Sequence, residues 1–259
     1  MRAGDPGVAD VSRARWLPLA LVALAALSLL SFTRPGKRAI RSLARWLDSH
    51  VEGFSEPNAC GYARFVAPGL RRLYRRVTDD VAAELAARSG GASGDRGPDS
   101  DRGPGGREFA ILDIGCGSGD LAALLARRLP EPRIVGLDLS PSMVDLARRL
   151  QTPDGRLRFE LGDAASLPFE SGAFDLVVST LSLHHWPNTG AGFSEIRRVL
   201  RPGGVALVYD LRLLTVETET LPDVARRAGM PVSGLRRERL RGGMLAGLFV
   251  RIRVDRPVE

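Results

Sequence analysis

The chain has 259 residues, 44% hydrophobic and 26% charged, with a formal charge of +7; these values exclude wholesale disorder and fibrous or collagen-like architectures. Two cysteines, Cys60 and Cys116, are too few for a disulfide framework or a cysteine-rich metal site, and no metal is expected. Nearly all the positive charge is arginine, Lys37 being the only lysine, and the arginines are mixed with acids along the chain. That distribution reads as a solvated basic surface and not as a nucleic-acid footprint.

After a tail at 1–15, residues 16–33 (WLPLALVALAALSLLSFT) carry no charge. At 1.5 Å per residue such a helix spans ~27 Å, close to the ~30 Å hydrocarbon core of a bilayer. The run is apolar on every face, unlike an amphipathic surface helix. It is longer than the hydrophobic region of a secretory signal and leaves through Ser31-Phe32-Thr33-Arg34-Pro35, which lacks a small-x-small cleavage site. A single membrane span is therefore expected at 16–33. Arg2, Arg13 and Arg15 precede it, whereas Arg34, Lys37, Arg38, Arg41 and Arg45 follow it, so the positive-inside rule places the rest of the chain in the cytoplasm. Within 34–60, Ile40, Leu43, Trp46 and Leu47 recur at helical spacing among arginines. This fits either a basic helix on an anionic bilayer or a helix packed on the domain that follows.

The main domain is expected at 61–259. Val66, Leu70, Leu73, Val77, Val81 and Leu85 form one apolar helical stripe. Residues 89–107 (SGGASGDRGPDSDRGPGGR) have no large apolar side chain and read as a flexible insertion. From Glu108 onward, apolar runs suited to strands buried on both faces (FAILDI, RIVGLDL, RLRFELGD, FDLVVSTL, GVALVYDLRLL) alternate with helical patterns at Asp120–Leu129, Pro141–Leu150 and Ala191–Leu200. Strand–helix alternation means an α/β fold: a parallel sheet with helices on both faces. A weaker helix near Pro222–Ala228 and two strands, near Gly234–Leu240 and Leu245–Val254, complete the chain.

The first strand ends in Asp113-Ile-Gly115-Cys-Gly117-Ser-Gly119-Asp120 with a helix directly behind it. Glycines at such a turn let the backbone pass close to a ligand and open the helix N-terminus to it. Asp138 ends the second strand about 20 residues on, where an acid grips ribose hydroxyls. Asp120 stands where a dinucleotide fingerprint has Gly or Ala, and no GK[ST] follows, so neither that fingerprint nor a Walker loop fits.

The run Asp113–Asp120 resembles the first motif of class I S-adenosylmethionine-dependent methyltransferases. The likeness continues in order through Gly136-Leu-Asp138-Leu-Ser140-Pro141-Ser-Met143, Gly162-Asp163-Ala164, Phe174–Thr180 with Leu183-His184-His185-Trp186, and Glu195–Gly204. It is most similar to small-molecule enzymes of the quinone-biosynthesis kind. The resemblance implies a Rossmann-like, seven-stranded sheet whose last strand is antiparallel, and S-adenosylmethionine as cofactor. By the same resemblance, Gly115, Gly117 and Gly119 approach the methionine portion and Asp113 organises their loop. Asp138 takes the ribose hydroxyls, Leu139 and Met143 flank the adenine, Asp163 and Ala164 meet its edge, and Thr180 lies near the methyl group. Tyr62 and Phe65 are either part of a lid or helix packing.

A base is needed only if the acceptor loses a proton. His184 and His185 are the candidates after the fourth strand, each equally readable as shaping the loop, with Tyr209 and Asp210 as further ones. No Asn/Asp-Pro-Pro-aromatic tetrapeptide follows that strand, which disfavours exocyclic amines, and no cysteine follows it either. The expected function is methyl transfer to a small, lipid-like or quinone-like acceptor by a membrane-anchored enzyme. The alternatives are a methyltransferase acting on RNA or protein, and a non-catalytic S-adenosylmethionine-binding scaffold.

Overall fold

The computed structural model describes residues 70–89, 108–211, 221–229, 235–240 and 249–258. The apolar run at 16–33, the basic segment to residue 60, Tyr62, Phe65 and all but the first residue of the insertion lie outside the described residues. Among the described residues no helix is long and apolar enough to cross a membrane.

The described elements are α1 (Arg71–Ser89), β1 (Ala110–Ile114), α2 (Asp120–Arg128), β2 (Arg133–Asp138), α3 (Pro141–Arg148), β3 (Leu157–Leu161), β4 (Phe174–Thr180), a 3-10 turn (Leu183–His185), α4 (Thr189–Val199), β5 (Leu200–Leu211), α5 (Leu221–Arg227), β6 (Leu235–Arg239) and β7 (Phe249–Asp255). The strands form one seven-stranded sheet in the order β3-β2-β1-β4-β5-β7-β6. β1 to β5 pair in parallel, and β7 runs antiparallel to both β5 and β6. This is the seven-stranded mixed sheet that the family resemblance implies.

Alternating strand residues feed two cores, one on each face of the sheet, as the two-residue period of a strand requires. On one face Ile111, Ile134, Phe159, Val178 and Leu207 pack against α1, α2 and α3 through Leu73, Val77, Leu121, Leu125 and Ala147. On the other, Leu112, Val135, Val177, Ala206 and Ile252 pack against α4 and α5 through Phe193, Ile196, Val224 and Ala225. Strands covered on both sides are why the apolar runs are almost unbroken.

The arginines serve the structure in specific places. Arg156 donates to Ala126 O (2.9 Å) and Leu129 O (3.0 Å), satisfying carbonyls at the end of α2. Arg198 is paired with Glu195 and donates to Leu167 O at 2.9 Å. Asp175, at the start of β4, accepts the Ala110 N–H at 2.9 Å and the Arg201 guanidinium, stapling the N-terminal ends of β1, β4 and β5.

Most element ends differ from the sequence reading by a residue or two, and the start of β5 differs by more. β5 begins at Leu200, four residues before the expected Gly204, because the Arg201-Pro-Gly-Gly run is absorbed as an irregularity in the ladder. Phe174 pairs with Leu200 and then Leu176 with Val205. Gly203, at φ 75°, supplies the left-handed residue this bulge requires.

Candidate active site

The strand order reverses between β2-β1 and β4-β5, so the crevice at the C-terminal ends of β1 and β4 is the topological switch point, where open α/β sheets bind ligands. The glycine turn stands there. Gly115, Gly117 and Gly119 have φ of 70°, 54° and 83°. The turn is tied to β2 by the Gly115 N–H (2.7 Å) and Cys116 N–H (3.0 Å), both donating to Leu137 O. Gly119 caps α2 without a side-chain bond, which leaves first-turn N–H groups open to a ligand.

Asp138 closes the same corner. Its Oδ2 accepts the Gly117 N–H at 2.8 Å and its Oδ1 the Ser140 N–H at 2.9 Å. A carboxylate offers about four acceptor positions, so Asp138 can still take bonds from a ligand. Burial pushes its carboxyl above the usual value, against the pull of those N–H groups and of His185. Beside it Leu139 is 66% exposed, an apolar side chain without a cover, whereas Met143 is packed inside at 2%. Asp163 is exposed beyond β3 and accepts the Ala165 N–H at 2.8 Å; Ala164 is half-buried against the second core.

Asp113 lies under the turn, wholly buried, and neither carboxylate oxygen has a hydrogen-bond partner. Burial, and secondarily the negative field of Asp138, push its carboxyl up to about 8. Cys116 shares this environment, and burial with the two acids drives its thiol well above its usual value, so it is no nucleophile.

The opposite wall comes from β4 and β5. Thr180, buried, ends β4 beside Tyr209, and the chain turns away through Leu181 at φ 55°, a conformation rarely adopted by a leucine. Ser182 then packs onto Gly115 and accepts the Trp186 Nε1–H at 2.8 Å. In the 3-10 turn that follows, the rings of His184 and His185 lie 4.0 Å apart. His184 Nδ1 is 2.7 Å from Asp210 Oδ1, and the buried Asp210 also accepts the main-chain N–H of His184 (2.9 Å) and of Leu211 (2.7 Å).

The structure therefore gathers the glycines, Asp113, Asp138, Leu139, Thr180 and the two histidines around one crevice. Tyr209 is not part of it. Its side chain is fully buried and its hydroxyl donates to Asp80 Oδ2 of α1 at 2.8 Å, a carboxylate that Arg251 also binds at 2.9 Å. Tyr209→Phe is expected to lower stability to urea by about 1 kcal/mol and to leave the affinity of the crevice for ligands unchanged. Sequence reasoning missed Leu181 and Ser182, because no residue type marks a strained exit or the side chain that will fill the space above a glycine.

A family model described as "Methyltransferase domain" matches residues 111–204. Over 138 residues the chain is 35% identical to a phthiotriol/phenolphthiotriol dimycocerosates methyltransferase of Mycobacterium ulcerans, covering 53% of this chain and 49% of that one. Over 101 residues it is 40% identical to a demethylmenaquinone methyltransferase of Thermus thermophilus, covering 39% and 46%. A solved S-adenosylmethionine-dependent methyltransferase from Mesorhizobium loti is 20% identical with a TM-score of 0.49, covering 57% of this chain and 91% of that one. The chain thus spans about half the length of the curated relatives it matches.

Proposed function

We propose that this chain, whose residues 111–204 match the methyltransferase-domain family model, transfers a methyl group from S-adenosylmethionine to a small, lipid-like or quinone-like acceptor. The observation that carries the cofactor is Asp113: a wholly buried carboxyl with both oxygens unpartnered beneath an open glycine turn calls for a cationic ligand. S-adenosylmethionine fits, since it brings an ammonium and a sulfonium, hydroxyls for Asp138 and a flat ring for the uncovered Leu139. When bound, it supplies a methyl group activated by positive sulfur.

The chain's residues have distinct tasks in this reading. The glycines admit the methionine portion against the backbone, and Asp138 orients the ribose while holding the Gly117 N–H. Leu139 presents apolar surface to the ring, Asp163 and Ala164 meet its edge, and Thr180 borders the transferred group, while Met143, 2% exposed, belongs to the packing of α3. Alignment of methyl donor and acceptor in a site that excludes water supplies most of the acceleration for such a displacement.

The acceptor class rests on relatives named as methyltransferases of phthiotriol/phenolphthiotriol dimycocerosates, of demethylmenaquinone and of fatty acids. It rests equally on the apolar run at 16–33, which would hold the enzyme at a bilayer with its domain facing the cytoplasm.

The test is calorimetric titration of the full chain, in detergent, with S-adenosylhomocysteine. Wild type is expected to bind, and Asp138→Ala to bind at least about tenfold more weakly, the loss of charge-assisted hydrogen bonds. No binding by a folded wild-type chain would refute the cofactor reading. Labelled S-adenosylmethionine with total lipid extract then tests the acceptor: label found only in water-soluble products rules out the lipid-like class.

A further inference from the structure

We propose that Asp210 is a positioning residue that makes His184 the proton acceptor of the reaction, so that the acceptor substrate is one that loses a proton, a hydroxyl or a carbon acid activated by one. The inference rests on the methyltransferase reading above and deepens it.

Asp210 is already engaged by the main chain. Its Oδ2 accepts the His184 main-chain N–H at 2.9 Å and its Oδ1 the Leu211 N–H at 2.7 Å, so both oxygens act as acceptors. The third contact, His184 Nδ1 to Oδ1 at 2.7 Å, is then one in which the imidazole donates. With its hydrogen on Nδ1, a neutral His184 carries its lone pair on Nε2. Asp210 is 0% exposed and the His184 side chain 14%, so water competes little for this arrangement. The main-chain bond also fixes the turn that bears the ring, so orientation and tautomer come from one carboxylate.

The ring is placed where a base is useful. Ser182, two residues earlier, lies directly on Gly115 of the cofactor turn. His185, its ring tilted 41° against that of His184 at 4.0 Å, is near enough to Asp138 for a positive charge on it to lower that carboxyl. His184 thus stands at the rim shared by β1, β4 and β5, where the methyl group would be exposed to an acceptor.

The step balances. The sulfur–methyl bond breaks with its electron pair retained by sulfur, a bond forms between that carbon and the acceptor atom, and the acceptor's proton passes to Nε2 of His184. Asp210 stabilises the resulting imidazolium without taking the proton, which later leaves to water. An acceptor with no proton to lose, such as a thioether, would not need this device.

The chain has 3 histidines, so 15N-histidine NMR of the full-length protein saturated with S-adenosylhomocysteine resolves the question, with His184→Gln identifying the signal. Nε2 of His184 is expected to be unprotonated in wild type and to gain a proton in Asp210→Asn. With a 1,4-naphthohydroquinone as probe acceptor, both variants are expected to lose 10²–10⁴-fold in kcat, with KM for S-adenosylmethionine and affinity for S-adenosylhomocysteine within threefold of wild type. Retained affinity shows that the variants are folded. A wild-type His184 protonated on Nε2, or variants with kcat within twofold of wild type, would overturn the assignment while leaving the cofactor reading intact. A wild type that binds S-adenosylhomocysteine but turns over no probe would overturn both the assignment and the quinone-like acceptor.

Discussion

Asp113→Asn is expected to make the ligand-free protein more stable at pH 8, by about 2 kcal/mol, and to weaken its binding of S-adenosylhomocysteine at least tenfold. A folded-state carboxyl near 8, against an ordinary value of 3.8, binds its proton more tightly in the native protein than in the unfolded chain. Native stability therefore falls as pH rises from about 4 through about 8, at roughly 1.4 kcal/mol per unit while the difference in bound protons is complete. Asparagine keeps the shape and removes the titration, so the slope disappears. Part of the gain is offset because the amide is itself left without partners, a cost of about 1–3 kcal/mol. Urea denaturation at pH 5 and pH 8, with and without S-adenosylhomocysteine, reads both effects. Equal pH slopes in the two proteins would show that Asp113 is not the group that titrates.

Gly115→Ala is expected to abolish measurable binding of S-adenosylhomocysteine, and Ser182→Gly in the same chain to restore part of it. At φ 70° an alanine is strained by about 1–2 kcal/mol. Its Cβ would also fall within the volume of the Ser182 Oγ and Cβ atoms. The turn and the histidine loop cannot both keep their places, so one substitution damages the cofactor seat and the base together. Removing the Ser182 side chain relieves the overlap and leaves the backbone strain, hence a partial rescue. Calorimetry on the two single variants and the double variant measures the coupling. A double variant no better than Gly115→Ala would place the damage in the backbone alone.

The sheet was legible because its strands are buried on both faces, which leaves runs such as Ala110–Leu112 and Leu176–Val178 apolar throughout. The glycine turn was legible because its spacing lies within one local segment. The His184–Asp210 pair was not, although both residues were candidates. They are 26 positions apart, and only the register that sets Thr180 against Tyr209 brings them together. Tyr209 misled for the same reason: its position at the end of a strand suggested chemistry, while its partner Asp80 lies 129 residues earlier on α1. Arginine composition likewise gave no hint that Arg156 would close a helix end or Arg201 pair with a buried acid.

The staple between Asp175 and the Ala110 amide has a kinetic meaning. β1 finds β2 after a short crossover, but its other edge must await β4, with a contact spanning 65 positions. Non-local pairings of this kind are slow to form, since chain entropy is lost before the contact rewards it. The crevice lies on that late seam, so during synthesis its two walls meet only after β2, α3 and β3 have been made. A cofactor can therefore trap the finished domain and slow its opening, but cannot template the early steps of its assembly.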